Sequence, residues 1–182
     1  MTTALILAAG ESSRLGQPKQ LLQKNGETLV HRAARVALEA GCSRVLVIEG
    51  AISLRAALVD LPIELVTCPD WKSGPGASLR AGAHAAGEDG VLVMLVDQHR
   101  VTAEHLRALL EAPGEIAAAF YAGALGVPAR FSPKHTAVLR GLPDDGGAKA
   151  WLRANARLVT PVVISAAAVD LDTPEQLLEL QN

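Results

Sequence analysis

The chain has 182 residues, of which 49% are hydrophobic and only 3% aromatic, and its formal net charge is −2. This length suits one domain with a sizeable core, and the aliphatic composition favours an α/β architecture over an aromatic-rich β-sandwich. The slightly acidic balance excludes a global field that would attract nucleic acid or an anionic membrane, so we expect neither as a partner.

The cysteines and the charge pattern indicate the compartment. Cys42 and Cys68 are too few for a disulfide framework and too far apart in sequence for a metal-binding pair, so we expect buried, reduced thiols. No Lys or Arg precedes Arg14, although a signal peptide would need a basic start, and no apolar run approaches the ~18 residues that span a bilayer. These features predict a cytoplasmic protein.

Strand patterns alternate with helix patterns along the chain. The continuous apolar run at 3–9 predicts a central parallel strand that is covered on both faces. Further strands are predicted at 44–50, 63–67, 90–97, 115–123 and 157–164. Helices are predicted at 27–40, 52–60, 77–86, 103–112, 132–142, 147–155 and 173–180. The alternation predicts a single α/β domain over 1–182, with a mostly parallel central sheet, helices on both faces and ligands beyond the carboxyl ends of the strands.

The loop after the first strand, G-E-S-S-R-L-G-Q-P-K at 10–19, combines a glycine turn with two cations. Gly10 lets the main chain approach a phosphate, Arg14 can donate to two phosphate oxygens, and Lys19 supplies a compact charge. Five residues separate the glycines and Lys19 comes three after Gly16, so the loop is not a Walker A motif. The G-x-G-x-x-G dinucleotide fingerprint is also missing. The residues by themselves indicate either an anion-binding loop or a solvated basic loop.

Asp97 is a second candidate, because it ends the buried strand predicted at 90–97. A carboxylate in that position needs a partner, and a divalent cation is a good one. The alternative is a helix cap or a turn residue.

The pattern L-A-A-G-x-S-x-R-x-G-x-x-K-x-L-L over 7–22 closely resembles the N-terminal signature of the MobA-like nucleotidyltransferases, and within them the molybdenum cofactor cytidylyltransferases (MocA-like). The resemblance implies a Rossmann-like, GT-A-like fold. It implies that Arg14 and Lys19 hold the triphosphate of an NTP and stabilise charge as pyrophosphate leaves, and that Asp97 is catalytic with them. The implied nucleotide contacts fall on Leu7, Ala8, Ala9, Gly10 and Ser12. Ala9 stands where guanylyl-transferring relatives carry glycine, which favours CTP over GTP.

The resemblance extends to four downstream segments, at 74–82, 91–98, 121–131 and 142–152. It implies that Ser78 lies beside the base and that the segment at 121–131 faces the acceptor. The stretch D-L-D-T-P-E-Q-L at 170–177 resembles a C-terminal motif of the family. That motif implies that Asp172 binds Mg²⁺ together with Asp97, with Asp170 as a weaker candidate. Asp-Thr-Pro is also a common start of a helix, which is the alternative role of Asp172.

One segment departs from the family, because its usual Asp-Gln-Pro is replaced by Asp97-Gln98-His99-Arg100. The change removes a rigid turn and adds a titratable, basic pair near the proposed metal. We predict that His99 is an exposed loop residue, with contact to an acceptor phosphate as the alternative. The other histidines lack metal-ligand spacing and are predicted to lie at the surface: His31, His84, His105 and His135.

The implied reaction is transfer of CMP from CTP to a phosphorylated acceptor, molybdopterin, with Mg²⁺ as cofactor and release of pyrophosphate. Cations and positioning carry such a reaction, so it requires neither a covalent nucleophile nor a dedicated base. A molybdoenzyme or chaperone that receives the product is a further implied partner. Three alternatives stay open: another small phosphorylated acceptor such as a sugar or polyol phosphate, a non-catalytic nucleotide- or cofactor-binding protein, and an NAD-dependent oxidoreductase, which the missing fingerprint disfavours.

Overall fold

A computed structural model describes residues 1–169, 171 and 176 of the chain. In this part of the chain the strands are β1 (Thr2–Leu7), β2 (Gln23–Lys24), β3 (Glu27–Thr28), β4 (Arg44–Glu49), β5 (Glu64–Thr67), β6 (Gly90–Leu95), β7 (Ile116–Tyr121), β8 (Ala124–Phe131) and β9 (Val159–Val163). The helices are α1 (Leu29–Glu39), α2 (Pro75–Ala85), α3 (Ala103–Glu111), α4 (Pro133–Arg140) and α5 (Ala148–Ala154). These elements confirm the predicted α/β fold.

The main sheet has the strand order β5-β4-β1-β6-β8-β7-β9, and β2 and β3 form a separate ribbon. β1 pairs in parallel with β4 and β6, β4 with β5, and β7 with β9. β8 runs antiparallel to both of its neighbours. Because β1, β4 and β6 share one direction, the loops that follow Leu7, Glu49 and Leu95 meet at one edge of the sheet.

Helices cover both faces of the sheet. Ala4 and Ile6 of β1 belong to the core cluster that contains α1 and α3, whereas Leu5 belongs to the cluster that contains α2, α4 and α5. Alternate side chains of a strand point to opposite faces, so β1 is buried on both sides. This two-sided burial explains why the run at 3–9 has no polar alternation.

The cysteines behave as predicted. Cys42 and Cys68 are buried and free of disulfide bonds, and burial raises the pKa of the Cys42 thiol to about 11. Among the described residues, no helix has the length and apolar character that crossing a membrane requires.

The helix predicted at 52–60 is wrong. Within this segment the turn Arg55–Ala57 is a short 3-10 helix. The backbone nitrogen of Leu54 donates to Glu49 Oε2 at 2.7 Å, and the Leu54 side chain is fully buried. The segment is therefore held against the end of β4 instead of continuing as an α-helix. The helix predicted at 173–180 lies outside the described residues, apart from Gln176.

β8 has no counterpart among the predicted strands. Gly126 and Pro128 interrupt its sequence, and both residues argue against a strand. A Cβ added at Gly126 would lie 2.4 Å from the hydroxyl oxygen of Tyr121, so glycine makes room for the tyrosine. The pairing of β7 with β8 also shifts register between Ala118 and Ala119, which accommodates the irregular sequence.

α1 begins at Leu29 because Thr28 caps it by accepting a hydrogen bond from the His31 backbone nitrogen at 3.3 Å. Glu27, in β3, accepts hydrogen bonds from Arg35 Nε at 2.8 Å and from Arg35 Nη2 at 2.9 Å. These bonds are the main reason that the pKa of Glu27 is lowered from 4.5 to about 2. The ribbon is thereby fixed to α1.

This pairing predicts a loss of stability in acid. Because the folded pKa of Glu27 lies below its ordinary value of 4.5, the pairing stabilises the fold fully above pH 4.5 and is lost as the pH falls through about 2. We expect the free energy of unfolding to fall by about 1 kcal/mol over this window, since solvent screens part of the interaction. Urea unfolding should show a smaller acid loss in Glu27→Gln than in the wild type. Glu104→Gln is the control and should keep the wild-type loss; equal losses in all three proteins would contradict the assignment.

Candidate active site

The chain after β1 is fixed to the neighbouring strand β4. The backbone nitrogen of Ala8 donates to the Ile48 carbonyl at 3.0 Å, and that of Ala51 donates to the Ala9 carbonyl at 3.0 Å. These two hydrogen bonds therefore fix the position of the backbone at 8–10 at the carboxyl edge of the sheet. This is the segment predicted to meet a base and ribose.

A cavity of about 770 Å³, the large cavity, opens beside this backbone. Predicted site residues that line it are Leu7, Ala9, Gly10, Ser78 and Lys19. They come from β1 and the residues that follow it, from the loop at 10–19 and from α2, so the fold brings together residues that are up to 71 positions apart in sequence.

A smaller space of about 220 Å³, the loop pocket, adjoins the large cavity. Gly10, Ser12, Arg14 and Lys19 line it, together with Leu171. Since Gly10 and Lys19 line both spaces, the two are neighbours along the loop. Two cations on one small pocket make it a suitable place for an anionic group such as a phosphate.

Ser12 closes the loop on itself. Its backbone is left-handed, with a φ of 57°, a conformation that costs a residue other than glycine about 1 kcal/mol. The Ser12 hydroxyl accepts a hydrogen bond from the backbone nitrogen of Lys19 at 3.2 Å, which helps to offset that cost. Ser12 therefore sets the position from which the Lys19 side chain extends.

Lys19 and Asp97 form an ion pair. Lys19 Nζ lies 2.5 Å from Asp97 Oδ2, and Asp97, which follows β6, is 4% exposed. Two residues that were predicted to be catalytic from distant motifs therefore meet in one site. Thr102 caps α3, so the helix-cap alternative for Asp97 does not apply to that helix.

Gln20 is a site residue that the sequence analysis misses. It is 1% exposed, and its Nε2 donates to the carbonyl oxygens of Ala8 at 2.7 Å and Gly10 at 2.6 Å. These bonds hold the beginning of the loop against its end, next to Lys19. A glutamine in a polar loop has the pattern of a surface residue, so the sequence carries no signal for this role.

The buried amide predicts a clear effect on stability. We expect Gln20→Glu to lower the free energy of unfolding by about 2–3 kcal/mol, because a buried carboxylate would face two carbonyl oxygens without an amide hydrogen between them. Urea unfolding measures the change. Gln23→Glu, on the exposed ribbon, is the matched control and should stay close to the wild type; similar losses in both variants would show that Gln20 does not brace the loop.

The prediction that His99 is exposed is wrong, because His99 is 3% exposed. Its backbone nitrogen donates to the Asp97 carbonyl at 2.8 Å in a tight turn. Arg32 of α1 donates from Nε to the His99 carbonyl at 2.8 Å and from Nη2 to the Val101 carbonyl at 3.1 Å. These bonds hold the segment after Asp97 against α1, so that it is buried.

Of the other histidines, His84 is exposed, and three are half-buried near the surface: His31, His105 and His135.

The metal-binding prediction rests on Asp97 within the described residues, since Asp172 and Asp170 lie outside them. In the described part of the chain, no group of three or more His, Cys, Asp or Glu side chains is arranged to hold a metal ion. Mg²⁺ is commonly bound by one or two carboxylates together with substrate phosphates and water. Asp97 is one carboxylate beside Lys19, and a single carboxylate that acts together with substrate phosphates fits that kind of shared site.

A third space of about 400 Å³, the tyrosine cavity, lies beyond Leu7 and Leu95. It shares the lining residues Leu7, Pro75 and Leu95 with the large cavity, so the two spaces are neighbours. Tyr121 and Lys149 are among its polar lining residues. The segments at 121–131 and 142–152, which carry the downstream resemblance, both contribute to its wall.

The sequence model described as the MobA-like NTP transferase domain matches residues 4–159. The chain belongs to this family. Membership confirms the resemblance that the motif at 7–22 predicts.

Relatives in this family carry different names. The nicotine blue oxidoreductase of Paenarthrobacter nicotinovorans is 36% identical, over 98% of this chain and 95% of its own. The purine catabolism protein PucB of Bacillus subtilis is 31% identical, over 94% and 92%. A probable molybdenum cofactor guanylyltransferase of Synechococcus elongatus is 36% identical over 58% of this chain and 55% of its own.

Solved structures share the fold over nearly the whole chain. The crystal structure of Rv0371c from Mycobacterium tuberculosis has a TM-score of 0.86 and 29% identity, covering 98% of this chain and 96% of its own. A complex of Rv0371c with manganese has a TM-score of 0.81 and 26% identity, covering 98% and 97%. The predicted fold class is therefore confirmed.

Proposed function

We propose that the protein is a Mg²⁺-dependent nucleotidyltransferase that transfers CMP from CTP to molybdopterin and releases pyrophosphate. The observation that carries the proposal is the placement of Lys19, which lines both the large cavity and the loop pocket and lies 2.5 Å from Asp97. A cation that borders both spaces and is paired with a buried carboxylate can act on a phosphate chain that follows the loop.

In this proposal the nucleoside of CTP occupies the large cavity and its triphosphate reaches into the loop pocket. The backbone at 7–10 and the side chain of Ser78 meet the base and ribose, and Ser12 and Arg14 meet the phosphates. The two lining residues that the spaces share, Gly10 and Lys19, support this placement.

The reaction is a phosphoryl substitution. A phosphate oxygen of the acceptor attacks the α-phosphorus of CTP, the bond from that phosphorus to the bridging oxygen breaks, and its electron pair leaves with pyrophosphate. Arg14 and Lys19 stabilise the negative charge that develops. Asp97, with Asp172 as the second ligand, would hold Mg²⁺, which supplies further positive charge to the phosphate oxygens when it is bound. The manganese complex of the related Rv0371c supports a divalent cation here.

The choice of base is assigned to Ala9, which is buried and lines the large cavity. We expect Ala9→Gly to raise kcat/KM for GTP relative to CTP by about tenfold, because loss of one methyl group enlarges the base site. Pyrophosphate release with each nucleotide measures the ratio. Ala85→Gly, exposed on α2, should leave the ratio unchanged. If Ala9→Gly lowers both values equally, Ala9 does not select the base.

We place molybdopterin in the tyrosine cavity, across Leu7 and Leu95 from the nucleotide. A sugar or polyol phosphate is the alternative acceptor, and a molybdoenzyme or chaperone that takes up the product remains a proposed partner. The two cavities share the lining residues Leu7, Pro75 and Leu95, and this closeness supports an acceptor on this side, since the attacking phosphate must reach the α-phosphorus.

Pyrophosphate release with Mg²⁺, molybdopterin and each of the four NTPs in turn tests the proposal. We expect release with CTP well above release with the other three. Release of pyrophosphate with a sugar phosphate but not with molybdopterin would show that the acceptor is a sugar phosphate. If no NTP gives release while the pterin is shown to be intact, the enzyme is not a transferase for this acceptor, and the non-catalytic alternative is favoured.

An oxidoreductase is the second candidate, favoured by the nearly full-length match to a relative named nicotine blue oxidoreductase. In that case a reduced nicotinamide nucleotide would bind in the large cavity and pass a hydride to an organic dye. Oxidation of NADH or NADPH in the presence of a quinone dye, followed by absorbance, tests this alternative. Turnover there without pyrophosphate release from CTP would replace the transferase proposal.

A further inference from the structure

The start of α2 is in close contact with the segment at 142–147, which lies between α4 and α5. A Cβ added at Gly76 would lie 1.9 Å from the carbonyl oxygen of Pro143, and one added at Gly74 would lie 2.3 Å from that of Asp144. Real Cβ atoms do not approach backbone oxygens so closely. Glycine at both positions therefore allows the two backbones to touch.

The 142–147 segment also caps α2. The backbone nitrogen of Gly76 is one of the first four of this helix, which have no carbonyl partner within the helix itself. It donates to the Asp144 carbonyl at 3.0 Å. Gly74, at the N-cap, has no side chain that could accept this bond, so a carbonyl from the segment takes that role.

Arg80, on α2, holds the same segment with its side chain. Its Nη1 donates to the Leu142 carbonyl at 2.7 Å, and its Nη2 donates to Asp144 Oδ1. The guanidinium therefore binds the segment at two points, one of them a charged group. Arg80 itself lines neither the large cavity nor the tyrosine cavity, so its effect on a ligand must pass through the residues that it holds.

The parts that this contact joins belong to different cavities. The start of α2 lines the large cavity with Gly74 and Ser78. Residues 147–149, at the end of the segment and the start of α5, line the tyrosine cavity. Pro75 lines both cavities, and a Cβ added at Gly147 would lie 3.9 Å from its side chain, an ordinary contact distance. The contact therefore connects a wall of the proposed nucleotide site to a wall of the proposed acceptor site.

The wall that Arg80 holds carries a positive charge. Lys149 lines the tyrosine cavity, and its Nζ lies 6.0 Å from the centroid of the Tyr121 ring. A cation at this cavity attracts a phosphorylated acceptor, so the placement of residues 147–149 bears on the affinity for the acceptor.

The rest of the protein holds α2 more firmly than it holds the 142–147 segment. Leu79 and Ala83 of α2 are fully buried in the core. Residues 143–145 of the segment are exposed. Loss of Arg80 is therefore expected to loosen the segment while α2 stays in place.

Resting on the proposed function, we infer that Arg80 is a positioning residue, which acts through the 142–147 segment to hold the acceptor wall at a fixed distance from the nucleotide. Such spacing matters for catalysis, because misplacing a reacting group by about 1 Å can cost on the order of 10²-fold in rate. The nucleotide wall at the start of α2 does not depend on Arg80 in the same way, since the core holds that helix.

Steady-state kinetics with the two substrates varied in turn test the inference. We expect Arg80→Met to raise KM for molybdopterin about tenfold and to leave KM for CTP within about twofold of the wild type, because only the acceptor wall is loosened. Arg44→Met is the matched control, since Arg44 donates from Nε and Nη2 to the Glu64 carboxylate at 2.9 Å and lines neither cavity. It should keep both wild-type KM values.

A purely structural role for Arg80 would give a different pattern. In that case Arg80→Met lowers the urea midpoint and either leaves both KM values unchanged or changes them by the same factor, and each of these results overturns the inference. Asp144→Ala, at an exposed position, removes one of the two bonds of Arg80. We expect this variant to raise KM for molybdopterin by a smaller factor than Arg80→Met; an unchanged KM would also count against the inference.

Hydrogen exchange without any ligand separates this inference from the proposed function. We expect Arg80→Met to speed exchange of the backbone amides at 144–149 about tenfold and to leave exchange at 79–85 as in the wild type. If no NTP gives pyrophosphate, the proposed function fails, while the exchange pattern still decides whether Arg80 holds this wall. Faster exchange to the same degree in both ranges, or in neither, overturns the inference whether or not the protein releases pyrophosphate.

Discussion

Lys19→Met is expected to lower kcat for pyrophosphate release by about 10²–10³-fold, because it removes a cation positioned to stabilise charge in the transition state. The ammonium lines both spaces proposed for the nucleotide and contacts Asp97 at 2.5 Å. Methionine keeps much of the apolar stem, so the charge is the main change. We also expect lower stability, since the buried Asp97 carboxylate loses this cation.

Lys134→Met is the matched control for this substitution. Lys134 is exposed on α4, and its replacement should leave kcat and the urea midpoint close to those of the wild type. A thermal melt of Lys19→Met shows whether the variant remains folded at the assay temperature. Turnover at the wild-type rate in a folded Lys19→Met protein would remove Lys19 from the catalytic machinery.

Asp97→Asn is expected to reduce kcat by about 10³-fold and to abolish the response to added metal, because the amide keeps the shape of the side chain but removes the charge that a divalent cation needs. The measurement is pyrophosphate release over a titration of Mg²⁺, repeated with Mn²⁺. In the wild type the rate should rise with either metal and reach a plateau.

Glu111→Gln is the control for the loss of one negative charge. Glu111 is exposed at the end of α3, and we expect its variant to follow the wild-type metal titration. If Asp97→Asn keeps the wild-type plateau and needs only the same metal concentration, Asp97 is not a metal ligand. If it keeps the plateau but needs more metal, Asp97 contributes to affinity and not to the catalytic step.

The closeness of the loop at 10–19 to Asp97 is predictable from the sequence for a physical reason. The loop follows the strand β1 and Asp97 follows β6, and the carboxyl ends of neighbouring parallel strands lie at one edge of the sheet. β1 and β6 are such neighbours. The strand pattern therefore places the loop and Asp97 at one edge, whereas the choice of Lys19 within the loop came from the family resemblance.

The roles of Gln20 and His99 could not be predicted in the same way. The two hydrogen bonds of Gln20 depend on the exact return of the loop toward Ala8, and no periodicity in the sequence reports on that path. His99 is buried because Arg32, from α1, binds the backbone of its segment. The burial of Gln20 and of His99 depends on contacts with residues that are distant in sequence. The local sequence pattern reports only on residues that are close along the chain.

β8 shows that the strand propensity of single residues does not always predict a strand. Pro128 and Gly126 oppose a strand locally, yet β8 pairs with β6 on one side and with β7 on the other. Burial and pairing override the preference of these two residues. Asp172 stays a prediction from the motif at 170–177, because it lies outside the described residues.

In the proposed reaction the α-phosphorus of CTP is transferred to the acceptor. The most direct measurement uses CTP that is radiolabelled either at the α-phosphate or at the γ-phosphate, with Mg²⁺ and intact molybdopterin. We expect the α-label to move into a pterin dinucleotide and the γ-label to appear in pyrophosphate. An α-label that stays in CTP, or a γ-label released as inorganic phosphate by a protein free of contaminating pyrophosphatase, would contradict the proposed transfer.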